Sequence, residues 1–245
     1  MDLRFIIYII FGVLPSLTWL FYYLRKDVHP ESNGNVIKIF LLGAFVTLPV
    51  FFIQIGLNSL LEKIAMPALL SSLLYWFLVI ALTEELFKFL VVKLKVIGSS
   101  ELDEPLDIML YMVISALGFA ALENILYLFS PLDGISFADL INRTLMISFI
   151  RFIGATFLHT LCAGTIGYFL ALGICKSQKR YLFTGFSIAV LLHGLYNFSI
   201  MTLEGVLKIA VPVAILILLA YFVITGFEKL KKLKSVCKIK IWQNN

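Results

Sequence analysis

Charge is scarce in this chain. Of its 245 residues only 14% are Asp, Glu, Lys or Arg, against about 25% in ordinary soluble domains. Hydrophobic residues supply 61% of the sequence, and the mean hydropathy is +0.99. That balance excludes a soluble globular enzyme and a disordered chain. Cysteine is nearly absent: Cys162, Cys175 and Cys237 are too few for a secreted disulfide scaffold. There is no internal repeat and no low-complexity segment. The apolar stretches also lack the two-residue alternation of a membrane barrel. In hydrocarbon only helices and closed barrels satisfy their own backbone. What remains is a polytopic helical membrane protein.

Seven apolar stretches, at approximately 5–24, 36–61, 66–92, 108–129, 144–174, 181–201 and 206–227, are long enough to span. Each covers about 30 Å of hydrocarbon at 1.5 Å per residue. The third and fifth exceed that need and are expected to tilt, break or run into the interface. The expected fold is an all-α transmembrane bundle of about seven spans in one domain, 1–245, ending in a basic tail at 228–245. The flank Trp19-Leu20-Phe21-Tyr22-Tyr23 offers no small-residue cleavage site, so the first span reads as a retained helix and not a signal peptide. The stretch 93–107, with Gly98-Ser99-Ser100 and Glu101, Asp103 and Glu104, reads as an exposed inner loop.

The Lys and Arg residues set the orientation. Inner loops carry Arg25, Lys26, Lys38, Lys93, Lys95, Lys176, Lys179 and Arg180. The tail adds Lys229, Lys231, Lys232, Lys234, Lys238 and Lys240. Outer segments hold only Arg4, Lys63, Arg143 and Lys208. The N-terminus is therefore expected outside and the tail in the cytoplasm. The tail reads as a topology anchor touching anionic lipid, not as a nucleic-acid site.

Two basic residues, Lys88 and Arg151, fall inside spans, and they have company. A charged side chain at mid-span costs about 2.5–3.5 kcal/mol on insertion scales. Span three holds Glu84, Glu85 and Lys88; span four holds Glu123 and Asn124; span five holds Arg151 and His159; span six holds His193 and Asn197. Glu84 with Lys88 and His193 with Asn197 are four apart, so each pair shares a helix face. Lys88 can also reach Glu85 at i, i+3. Arg151 is expected to pair with a carboxylate.

Each group alone reads as an ion pair or helix–helix hydrogen bond; all of them together read as a site. Such a set can activate water with a carboxylate and steady an oxyanion with a His–Asn pair. Alternatively Glu123, His159 and His193 could hold a zinc ion, although the His-Glu-x-x-His signature is absent. On the drawn spans, Glu84 and Glu85 lie nearer the inner end and Glu123 nearer the outer end. A shifted or broken helix must close that offset.

The pattern Glu84-Glu85-x-x-Lys88, Gly118-Phe119-x-x-x-Glu123-Asn124, His159-x7-Gly167 and His193-x-x-x-Asn197 resembles the PrsW family of bacterial intramembrane proteases. The wording around Leu122–Leu128 and Leu191–Gly194 and the loop at Asp27, Pro30 and Glu31 also resembles that family. It departs at Ile108 and Met112, where the family tends to have glycine, so packing there should differ. The resemblance implies paired catalytic carboxylates at Glu84 and Glu85 with Lys88 as companion. It implies further active-site residues at Glu123, Asn124, His159 and His193, with Asn197 as partner of His193. It also implies a bacterial cell-membrane protease whose partner is a single-pass membrane substrate, such as an anti-sigma factor cut first on its outer side during stress. The cofactor is either one divalent metal, zinc, or none. Rival expectations are a prenyl-protein endopeptidase of the CAAX type, which the family distantly resembles, and a non-catalytic scaffold or proton-coupled transporter.

Overall fold

The computed structural model describes residues 3–26, 29–99, 102–129 and 136–233. The described residues form helices and no strand: α1 (Leu3–Leu24), α2 (Asn33–Leu61), α3 (Ala68–Leu74), a π-helical segment (Tyr75–Leu82), α4 (Thr83–Lys95), α5 (Pro105–Leu128), α6 (Phe137–Ile153), α7 (Ala155–Lys176), α8 (Arg180–Thr202) and α9 (Leu207–Leu233). Six of the helical units, with α6 and α7 taken together, are long and apolar enough to cross a membrane. The expected third span is the exception, because it is divided among α3, the π-helical segment and α4, each of them short.

Both over-long spans break. The third is α3, the π-helical segment and α4 in series. The fifth breaks at Gly154, whose φ −103, ψ −97 leave the helical region. A side chain there would crowd the Tyr196 hydroxyl and the Ile150 carbonyl. The ends differ from expectation too. Ser136 caps α6, accepting from the Asp139 N–H, so Arg143 is helical and not in a loop. α9 runs through the start of the expected tail to Leu233. Asp27, Ser100, Glu101, Lys234, Cys237, Lys238 and Lys240 lie outside the described residues. The expected inner loop is only partly exposed: Val96, Leu102, Glu104 and Asp107 are buried. The reason is a capping box. Pro105 opens α5 behind Glu104, and the Asp107 carboxylate accepts from the Glu104 N–H at 2.7 Å.

α5 is the axis of the bundle and is buried almost throughout. It packs against α7, α2, α1, α4 and α9. Apolarity cannot mark its contact faces, because lipid and core are equally apolar. Small residues do so instead. A Cβ on Gly118 would overlap the Phe40 carbonyl of α2, and one on Gly43 would overlap the Ser115 carbonyl of α5. Thr47 of α2 donates to the Phe119 carbonyl at 3.3 Å. Where α5 carries Ile108 and Met112 in place of glycine, the close approach comes from the other side: Gly167 of α7 sits against Met109 and Met112.

These contacts give a paired prediction. Gly118→Ala overpacks the α2–α5 seam and should cost about 1–3 kcal/mol. Gly56→Ala, where nothing lies within 4 Å, should be neutral or stabilise by up to about 1 kcal/mol through helix propensity. Thermal unfolding of the two variants in the same detergent checks the contrast.

Candidate active site

The breaks aim polar groups from α4, α5, α7 and α8 at one another. The break at Leu82–Thr83 between π and α geometry starts α4 with Glu84 and Glu85 in its first turn. Lys88, one turn on, is fully buried, with Nζ 2.8 Å from Glu85 Oε1 and 3.4 Å from Glu84 Oε2. It also lies 2.8 Å from His159 Nδ1 and over the Phe119 ring at 4.6 Å.

Each histidine is held by a carboxylate on one nitrogen. His159 Nε2 lies 3.0 Å from Glu123 Oε2, and His193 Nδ1 lies 2.8 Å from Glu85 Oε1. An ionised carboxylate only accepts, so those nitrogens carry the protons. The other nitrogens, His159 Nδ1 and His193 Nε2, are left with lone pairs, and that of His159 accepts from the Lys88 ammonium. Both lie 3.8 Å from the same atom, Glu84 Oε2. The expected depth offset is thereby closed: His159 bridges it, with Glu123 on one side of the ring and Glu84 on the other.

Glu123 is fixed in turn by Arg151, 2.5 Å from its Oε2. Arg151 Nε donates to Asn124 Oδ1 and its guanidinium covers the Tyr127 ring at 4.0 Å. Asn124 is buried and its amide donates to the Gly12 carbonyl and Thr156 Oγ1. Arg151 thus pairs with a carboxylate, as its burial requires.

The site borders a cavity of about 570 Å³ lined by Glu84, Glu123, His159, His193 and Asn197 together with Arg151 and Tyr127. Glu85, Lys88 and Asn124 do not line it; they stand behind the residues that do. Glu85 is fully buried, and its Oε2 makes no hydrogen bond. Asn197 faces the cavity with its amide unpaired among the described residues.

Glu84, His159 and His193 offer one ligand atom each within 4.8 Å of one another. The donors of a tetrahedral zinc at 2.0–2.1 Å are about 3.3–3.4 Å apart, and two imidazoles with one carboxylate are a known catalytic set with a fourth position open. The carboxylate behind each histidine is the outer-shell partner that such ligands have. Charge agrees: Glu84, Glu85 and Glu123 face only Lys88 and Arg151, leaving net negative charge in a dry interior. The residues therefore fit a divalent metal. The ligand trio differs from the expected Glu123, His159 and His193, because Glu123 lies on the Nε2 side of the His159 ring with Arg151 on its Oε2, while Glu84 lies on the Nδ1 side with His193. A second trio, Glu85, Cys162 and His193, also lies within 4.8 Å. In that trio Glu85 would have to bind through Oε2, since Lys88 and His193 occupy Oε1, and the fully buried Cys162 does not line the cavity.

The sequence reading missed Gln54 of α2, which lines the cavity and donates to Glu84 Oε1 at 3.3 Å. Its signal was there as a lone amide in the run Phe51-Phe52-Ile53-Gln54-Ile55.

Comparison with known proteins agrees with this geometry. Residues 31–225 match the family described as PrsW family intramembrane metalloprotease. The chain is 32% identical over 210 residues to "Protease PrsW" of Oceanobacillus iheyensis, covering 84% of this chain and 88% of that protein. It is 32% identical over 230 residues to "Protease PrsW" of Clostridioides difficile, covering 91% and 89%. It is 28% identical over 234 residues to "Protease PrsW" of Bacillus subtilis, covering 94% and 97%. No solved structure matches.

Breaking the Arg151–Glu123 pair should be costly. Arg151→Met leaves the part-buried Glu123 carboxylate with only the His159 N–H as partner and should destabilise by at most about 3–5 kcal/mol, the loss for a fully buried pair. Adding Glu123→Gln should restore most of that loss, because it removes the orphaned charge. Unfolding of wild type, both single variants and the double variant, run as a cycle, measures the coupling.

Proposed function

This chain belongs to the PrsW family of intramembrane metalloproteases, and from that premise we propose that it cuts a single-pass membrane protein in the outer half of the bacterial cell membrane. That it is a multi-pass membrane peptidase follows from the family and the helices. The finer reading rests on one observation: Glu84 Oε2 lies 3.8 Å from both His159 Nδ1 and His193 Nε2 beside a cavity at one end of the bundle.

That end is identifiable. The lining residues Gln54, Tyr75, Leu126 and Met201 lie toward the C-terminus of α2, at the start of the π-helical segment of the third span and toward the C-termini of α5 and α8. Ser72 and Thr202 are hydrogen-bonded there at 3.2 Å. The basic connections at 93–95 and 176–180 are at the opposite end. With those in the cytoplasm, the cavity opens toward the outer face. This supports a first, outer cut in a substrate such as an anti-sigma factor, and it opposes cleavage of a lipidated cysteine at the inner face.

In this reading Glu84, His159 and His193 hold the metal, which supplies a Lewis acid and an activated water. Glu85 and Glu123 keep the two imidazoles in the tautomers that place lone pairs on His193 Nε2 and His159 Nδ1, the latter accepting from the Lys88 ammonium until a cation displaces it. Glu123 Oε1 makes no hydrogen bond among the described residues, so it is the oxygen open to a proton. The unpaired Asn197 amide donates to the developing oxyanion. Lys88 balances Glu85 from behind and does not touch substrate. The apolar rim of Phe51, Leu126, Ile150 and Met201 suits a segment arriving from lipid.

New N-termini should appear in membranes of cells expressing wild type and be absent with Glu84→Gln at matched protein levels. Asn197→Ala should slow their appearance by about 10²–10³-fold. Cut sites should map to the outer end of a single-pass span. Cuts beside an inner, lipid-modified cysteine would favour the prenyl-protein alternative, and identical terminomes would refute the proposed substrate class.

A further inference from the structure

We infer that Gln54 of α2 is a positioning residue for the metal centre, holding the Glu84 carboxylate so that Oε2 turns toward His159 and His193. The inference rests on the metal reading above. It begins with a stripe. Val36, Ile39, Gly43, Thr47 and Val50 are the buried residues of α2, and their spacing of three or four next reaches residue 54. Gln54 is therefore the residue with which the packed face of α2 meets the cavity. Its neighbours Phe51, Phe52, Ile53 and Ile55 are exposed on the apolar surface. A polar side chain in such a run has a cost in lipid that needs a partner.

The partner is specific. The amide nitrogen of Gln54 lies 3.3 Å from Glu84 Oε1 and 3.3 Å from Thr83 Oγ1. Thr83 spends its own hydroxyl proton on the Val79 carbonyl, 2.5 Å away, and so accepts from Gln54. Glu84 divides its two oxygens. Oε1 has Gln54 as its hydrogen-bond donor; Oε2 faces Lys88, His159 and His193. Without the amide, Coulomb attraction would draw the whole carboxylate onto the Lys88 ammonium, 3.4 Å away. A neutral donor opposes that pull without cancelling the charge a cation needs. The tight Gly43–Ser115 seam and the Thr47–Phe119 hydrogen bond fix α2 on α5, so the amide arrives at a defined height.

The full chain, purified in detergent and stripped of metal, is titrated with zinc against a chromogenic chelator. Wild type should bind and Glu84→Gln should not. If wild type takes up no zinc, or Glu84→Gln binds as wild type does, the metal reading fails and this inference with it. Given that reading, Gln54→Leu should bind zinc about 10–100-fold more weakly, the usual loss for an outer-shell partner. Gln54→Asn, whose amide stops one methylene short, should also bind more weakly and serves if the leucine variant does not fold. Thr83→Val keeps the Glu84 bond and should bind as tightly as wild type. Wild-type affinity in the Gln54 variants, or an equal loss in Thr83→Val, would reduce Gln54 to a helix tie and overturn the inference.

Discussion

Around the cavity three carboxylates, Glu84, Glu85 and Glu123, meet two fixed cations, Lys88 and Arg151. In hydrocarbon that imbalance is the constraint to which the rest of the structure answers. Charge cannot be left to water there, so every ionisable group is met by another. Lys88 is shared between Glu84 and Glu85, Arg151 clamps Glu123, and the two imidazoles are spaced between the carboxylates. The residual negative charge lies beside His159 Nδ1 and His193 Nε2, the nitrogens that carry lone pairs. A site that lacks one positive charge and offers one carboxylate and two imidazole donors is built for a divalent cation.

The backbone bends to make this arrangement. The π-helical segment Tyr75–Leu82 and the break at Gly154 occur on the two elements that bring carboxylates and a cation to the cavity. π-Turns often accompany functional sites for this reason. Trp19 of α1 braces the second break, stacking on Phe157 at 4.3 Å and donating to the Phe152 carbonyl at 3.0 Å. The scaffold thus provides rigid seams through Gly43, Gly118 and Gly167 and concentrates its irregularity where chemistry is done.

Much of this was legible in the sequence. Composition and run length are enough to establish a helical membrane bundle, because hydropathy reports the solvent directly. The polar groups on four spans stand out because each is costly in lipid, and Glu84, Glu123, His159, His193 and Asn197 do line one cavity. Less was legible where lipid and core look alike. The packed face of α2 is marked by Gly43, Thr47 and Gln54, a stripe hidden in a uniformly apolar helix. The excess length of spans three and five announces an irregularity but not its position, since the π-helical segment Tyr75–Leu82 is an ordinary apolar octet and Gly154 one glycine among 15. Residue type also could not say which carboxylate joins the histidines. That choice falls to Glu84 because it lies on the Nδ1 side of the His159 ring with His193, while Glu123 lies on the Nε2 side with Arg151.

The central claim is that two carboxylate-backed histidines and Glu84 form one metal centre. X-ray absorption at the zinc edge of the loaded protein reads that centre most directly. The account predicts two imidazole nitrogens with the remaining donors oxygen, and no sulfur. A sulfur scatterer would place the ion on Cys162 with Glu85 and His193, and a first shell without imidazole would place it elsewhere; either would contradict the account.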